Sequence, residues 1–117
     1  MIALTAQTKI FLAAEPTDMR KGFDGLYGLV TGVLQQDSLT GHLSLFINRR
    51  RGELKVFYWD GEGLAIWYRR LEQGTFQLPK LDADTVAASI SSDDLMMLLR
   101  GVDYSKVRRR KRFVLAE

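Results

Sequence analysis

A chain of 117 residues, 46% hydrophobic and 26% charged with two prolines, has the composition of one folded domain and not of a disordered segment. It has no cysteine, which excludes disulfides and thiolate metal sites, and its single histidine, His42, leaves little for a transition-metal cage. The net charge of +3 is gathered into blocks of basic residues, a layout that points to a polyanionic partner more strongly than the total does.

Residues 8–13 (Thr-Lys-Ile-Phe-Leu-Ala) predict a short strand with Lys9 at an exposed or edge position, broken by Pro16. From Thr17 or Asp18 to Gln36, the apolar positions Met19, Phe23, Leu26, Tyr27, Val30, Val33 and Leu34 step by three and four. That spacing predicts one amphipathic helix capped by Thr17 or Asp18. Gly25, Gly28 and Gly32 would then form a bare ridge for close packing against a hairpin or a second subunit. Arg20 and Lys21 would fall in the first turn, where the macrodipole disfavours cations. Relief comes either from a phosphate at the helix N-terminus or, preferably, from pairing with Glu15, Asp18 or Asp24.

After a polar loop over 35–42, two apolar runs, 43–48 and 54–59, flank Arg49, Arg50, Arg51, Gly52 and Glu53. This predicts a β-hairpin with arginines at its tip. By alternation one face carries Leu43, Leu45, Ile47, Leu54, Val56 and Tyr58, and the other Phe46, Phe57 and Trp59. The aromatic face is assigned to the core in preference to a base-stacking platform.

Asp60, Gly61, Glu62 and Gly63 form a turn. Leu64, Trp67, Tyr68 and Leu71 recur at helical spacing and predict a short helix over 62–73, with Arg69 and Arg70 off its stripe. The alternative is a strand alternating through Ile66, Tyr68 and Phe76. Residues 75–78 read as a brief strand, 79–85 as a loop and 86–90 as a last strand. Ser91 or Ser92, with Asp94 in a capping box, opens a final helix that buries Leu95, Leu98 and Leu99 and ends at Gly101. Beyond it lie Lys106, Arg108, Arg109, Arg110, Lys111 and Arg112, a run of like charge that repels itself. The expected organisation is a single α+β domain over 1–103, followed by a flexible basic tail over 104–117. Its small, mainly antiparallel sheet has a central β-hairpin packed against two or three helices. No apolar run is long enough to span a bilayer, and the start of the chain has no basic segment, so a cytoplasmic protein with no membrane partner is expected.

The hairpin arginines suit phosphate or a guanine edge, because the guanidinium fork pairs bidentately with either. The rival reading is a solvated turn in which Arg51 pairs with Glu53. The tail binds polyanions by counterion release without reading sequence, or else serves only solubility. The candidate nucleic-acid contacts are therefore Arg49, Arg50, Arg51, Lys106, Arg108, Arg109, Arg110, Lys111 and Arg112, joined by Arg20, Lys21, Arg69 and Arg70. For catalysis little is found. Asp60 and Glu62 offer two carboxylates to Mg²⁺ but are also ordinary turn chemistry, and Ser91 and Ser92 have no base nearer than His42, which reads as a surface residue. No catalytic residue, metal or cofactor is expected.

Certain stretches recur in a telling order: residues 16–26 (Pro-Thr-Asp-Met-Arg-Lys-Gly-Phe-Asp-Gly-Leu), Gly41-His42-Leu43 through Asn48-Arg49-Arg50-Arg51, and Tyr58-Trp59-Asp60-Gly61-Glu62-Gly63. They are followed by residues 67–76 (Trp-Tyr-Arg-Arg-Leu-Glu-Gln-Gly-Thr-Phe) and Leu98-Leu99-Arg100-Gly101-Val102-Asp103. Their spacing resembles the small accessory protein family, TnpB or Orf2-like, of the IS66 class of bacterial insertion sequences. This is not the RNA-guided nuclease that shares the name TnpB. The resemblance covers most of 9–103 and implies a role beside a separate transposase that carries the strand-transfer chemistry; it implies no enzymatic activity and no known active site. Leu78 departs from it, since many relatives carry tryptophan before the proline, and the basic tail lies beyond the shared stretch. The expectation is a non-catalytic accessory protein for transposition that binds DNA, at the element ends, and the transposase, with homo-oligomers possible. The alternative is a protein-interaction subunit that binds the transposase or itself without direct DNA contact.

Overall fold

The computed structural model describes residues 7–37, 41–82 and 84–100. Five strands, β1 Ile10–Ala13, β2 Leu43–Ile47, β3 Glu53–Trp59, β4 Leu64–Arg70 and β5 Ala87–Ile90, form one sheet in the order β4-β3-β2-β1-β5. The β1–β2 pair is parallel and the other pairings are antiparallel, so the sheet is mixed but mainly antiparallel. A parallel pair needs a crossover, supplied here by helix α1 (Phe23–Gly28) and the π-helical turn Leu29–Val33 that continues it.

The hairpin β2–β3 is covered on both faces. On one face Leu43, Leu45, Ile47, Leu54 and Val56 join Ile10 and Leu12 of β1 beneath Leu95 and Leu98 of helix α2 (Ser92–Leu99), with Phe76 filling the end. On the other, Phe46 and Phe57 meet Leu26, Val30 and Leu34 of the crossover. All five residues of β2 are therefore buried. Each large apolar side chain so enclosed contributes about 1.5–3 kcal/mol relative to exposure. The aromatic pair Phe46 and Phe57 is core, as the alternation and the supply of helices suggested; Trp59 is half-buried.

The final helix forms as its capping signals predict. Ser91 Oγ accepts the Asp94 N–H at 3.0 Å and the Asp94 carboxylate accepts the Ser91 N–H at 3.4 Å, a complete capping box. At its other end Arg69 donates to the carbonyl of Leu99 at 2.7 Å, so a cation sits where the macrodipole is negative. The proposed terminator Gly101 lies outside the described residues.

Four expectations need correction. The long helix from Thr17 or Asp18 is absent: α1 begins at Phe23, and Arg20 and Lys21 precede it. Asp18 turns the chain instead, its carboxylate accepting the Arg20 N–H at 2.9 Å and its carbonyl the Lys21 N–H at 3.1 Å, local bonds that compete with a helix. The helix after Asp60 is the strand β4, paired along its whole length with β3. Residues 75–78 form no strand; Phe76 is buried there and its N–H donates to the Arg51 carbonyl at 2.7 Å. The glycine ridge does not pack on the hairpin either, because a Cβ at Gly28 or Gly32 would meet nothing.

Two substitutions test this layout by thermal melting. Ser91→Ala should cost about 1 kcal/mol through loss of the cap. Gly28→Ala, at φ −61 and ψ −37 with open space for its Cβ, should instead stabilise by about 0.5–1 kcal/mol.

Candidate nucleic-acid interface

Two stretches far apart in sequence meet beside the turn of the hairpin. The first is 16–21. Thr17, which is buried, donates its N–H to the Ile47 carbonyl at 2.9 Å, docking the stretch on the end of β2. Lys55, on the crossover-covered face of β3, sends its ammonium to the carbonyls of Met19 and Lys21, 2.8 Å from each. The second stretch is the turn itself. Asn48 Oδ1 accepts the N–H groups of Gly52 and Glu53 at 3.0 Å, and its amide donates to Glu53 Oε2 at 3.0 Å. Arg51 adopts the left-handed region, φ 60, which costs a non-glycine residue about 1–2 kcal/mol. Its carbonyl receives Phe76 and the next, of Gly52, receives Leu71 at 2.8 Å, so the turn is held from the following segment.

Between the two stretches lies an open groove of about 650 Å³, lined by Pro16, Thr17, Asp18, Met19, Arg20, Asn48, Arg49, Arg50, Glu53 and Tyr68. Tyr68 reaches it from β4, half-exposed, with its hydroxyl donating to the Glu53 carboxylate and the Lys55 ammonium 5.0 Å from its ring centroid. The bond to Glu53, with some desolvation, pushes the Tyr68 hydroxyl above its ordinary pKa. Opposite, Arg20 grips Asp18 through Nε and Nη2, the latter at 2.7 Å. Arg49 and Arg50 are exposed and make no hydrogen bond or ion pair through their side chains among the described residues.

The predicted basic residues thus fall into separate places. Arg20, Arg49 and Arg50 come together in the groove. Arg51 points to a neighbouring cleft shared with Ala13, Pro16 and Leu78, and does not pair with Glu53. Lys21 lines a separate, more apolar pocket with Leu29, Val33, Phe46 and Val86. Arg70 is exposed on the edge strand opposite Glu53 in register, while Arg69 lies over the Trp67 ring at 4.7 Å and bonds α2. Lys106, Arg108, Arg109, Arg110, Lys111 and Arg112 lie outside the described residues.

Asn48, Lys55 and Tyr68 were not singled out as site residues by the sequence, and Glu53 only as a partner for Arg51. An asparagine next to an arginine turn is a readable signal for side-chain closure of that turn, whereas Tyr68 reaches the groove only because β4 is a strand. The other candidates resolve into structural roles. Asp60 accepts the N–H groups of Glu62 and Gly63 at 2.9 Å, bonds that lower its pKa and close the turn. No group of three His, Asp or Glu side chains among the described residues could hold a metal ion. His42 is half-buried and not a plain surface residue: its Nδ1 accepts the Lys9 N–H at 3.1 Å and its ring meets Phe11 edge-on. No helix among the described residues is long and apolar enough to cross a membrane.

The family profile described as IS66 Orf2 like protein matches residues 8–109. The chain belongs to that family. Among its relatives in Sinorhizobium fredii, the uncharacterized protein y4jC is 32% identical over 110 residues, 94% of this chain and 92% of the relative. The uncharacterized protein y4hO is 35% identical over 104 residues, 89% of each chain. No solved structure matches. Membership associates this IS66 Orf2-like protein with transposition, and both walls of its groove fall within the matched region.

The Asp18–Arg20 pair gives the groove a measurable signature. Hydrogen bonds from the Arg20 side chain and then its N–H lower the Asp18 pKa from 3.8 to about 2. A depressed carboxylate keeps its contact as pH falls and loses it only through the folded-state value. Side-chain carboxyl titration by NMR should thus place Asp18 near 2, and Arg20→Gln should raise it towards 3.8 but not fully, because the backbone N–H still donates.

Proposed function

We propose that this protein is a non-catalytic accessory factor of insertion-sequence transposition, acting in the cytoplasm, that holds element DNA through the groove carrying Arg20, Arg49 and Arg50. The observation that carries this reading is the convergence of two separate stretches on one groove, with unpaired guanidinium groups on its rim. Their turn is fixed by Asn48, Phe76 and Leu71, so little ordering cost falls on binding. Lys21, Arg51 and Arg70 add positive potential at the margins, and the run from Lys106 to Arg112 supplies a sequence-blind anchor by its charge alone. Arg69, committed to α2, contributes least. The separate transposase carries the strand-transfer chemistry.

A second reading has its own support. Phe23, Tyr27 and Val33 are 50%, 44% and 51% exposed along the crossover, beside the open Gly28 and Gly32. Large exposed apolar residues on one element suit contact with the transposase or with another copy. The protein-interaction subunit is therefore the alternative, and one molecule has room for both contacts.

Binding of the full chain, Arg49→Ala/Arg50→Ala and a chain ending at Tyr104 to labelled element-end and scrambled DNA should be followed across a salt series. The double variant should bind more weakly and with a log–log salt slope smaller by about 2. Truncation should weaken binding to both sequences alike. Absence of binding at micromolar protein in low salt overturns the DNA reading and leaves the interaction subunit.

A further inference from the structure

We infer that the groove takes an unpaired nucleotide of single-stranded DNA, its base against Tyr68 and its phosphate among Arg20, Arg49 and Arg50; this rests on the DNA-binding reading above. Shape is the first reason. The arginines rim a concavity of about 650 Å³, within the roughly 300–1,000 Å³ that encloses small organic ligands. A duplex is convex and keeps its base faces stacked, so it can offer such a concavity only its backbone. An unstacked nucleotide can enter.

Chemistry is the second reason. Tyr68 is 49% exposed, the one aromatic ring in the groove lining. Its ring is held before any ligand arrives, by the Glu53 carboxylate at the hydroxyl and the Lys55 ammonium near the ring. Base stacking on an aromatic is indifferent to sequence, because every base has a π face. Pro16 and Met19 give the remaining wall an apolar surface. The sequence offered Phe46, Phe57 and Trp59 as a stacking platform; Phe46 and Phe57 are core, and Tyr68 is the ring left facing the arginines.

Charge is the third. Three arginines face two carboxylates in the groove, a net charge of one positive: Asp18 is paired with Arg20, while Glu53 keeps its charge and is held in place by the neutral Asn48 amide and Tyr68 hydroxyl. Arg49 and Arg50 remain to meet a phosphate, with the guanidinium geometry suited to it.

The test is fluorescence anisotropy with the full chain and three probes of one sequence: a single-stranded 12-mer, its blunt duplex, and that duplex with one unpaired nucleotide. The single strand and the bulged duplex should bind at least about tenfold more tightly than the blunt duplex. Tyr68→Ala should weaken single-strand binding by roughly 5- to 150-fold, a larger loss than it causes for the blunt duplex. Tyr68→Phe, which keeps the ring but loses the bond to Glu53 that holds it, should bind between the native chain and Tyr68→Ala. Tyr68→Leu, of similar bulk without a π face, should behave as alanine does, and it decides the matter if Tyr68→Ala melts prematurely. Equal or tighter binding of the blunt duplex, or full affinity in Tyr68→Leu, overturns this inference while the DNA-binding reading stands. Failure of all three probes overturns both.

Discussion

Lys55 is the residue on which the groove depends. It stands on the crossover-covered face of β3 in register with Phe46, at the border of the core. There its ammonium needs partners, and it finds the carbonyls of Met19 and Lys21 and the ring of Tyr68. Those carbonyls belong to a stretch that forms no helix of its own. By binding them, the lysine fixes the path of 16–21 across the end of the sheet, and with the Thr17 bond to Ile47 it builds one wall of the groove. Helix α1 can begin only after that wall is complete.

The other wall spends energy to keep charge at the surface. Arg51 in the left-handed region is unfavourable, yet hydrogen bonds from Asn48 and from the segment around Phe76 and Leu71 over-determine the turn. Strain maintained in this way, at a tip that presents Arg49 and Arg50 without partners, fits a binding role better than a plain connecting turn. Tyr68 and Lys55 join the two walls, Tyr68 bonding Glu53 of the turn and Lys55 lying over its ring while it holds Met19 and Lys21, so the groove is a property of the folded sheet and not of either stretch alone. Both stretches lie within the region matched by the IS66 Orf2-like family, which also takes in Lys106, Arg108 and Arg109 of the basic run.

Much of this was legible in the residues. Alternation in β2 and β3 sorted the two faces of the hairpin correctly, and Ser91 with Asp94 announced α2 through a local bond that needs no tertiary context. The misreadings have local causes. Leu64, Trp67 and Leu71 match a helical step, but β4 packs apolar residues on both faces, Leu64 and Ile66 on one and Trp67 on the other, so the alternation through Ile66 and Tyr68 that favoured the alternative strand was the weaker signal. Met19 and Phe23 extended the helical pattern backwards through a stretch where the Asp18 side chain offers the backbone a turn instead. At the far end the Thr31 hydroxyl donates to the Tyr27 carbonyl at 2.9 Å, and the Leu34 N–H reaches back to Leu29, widening the helix in a way periodicity does not reveal. The basic blocks were visible; which of them share a groove was not, because that depends on the fold.

The central claim is that residues 16–21 and the arginine turn act as one site. The most direct measurement is an amide ¹⁵N–¹H NMR titration of the full chain with a short single-stranded oligonucleotide. Thr17, Met19, Arg20, Arg49, Arg50 and Tyr68 should shift together along one binding curve. Shifts confined to the exposed face of Phe23, Tyr27 and Val33, or to residues past 103, with the groove amides unmoved, would contradict it.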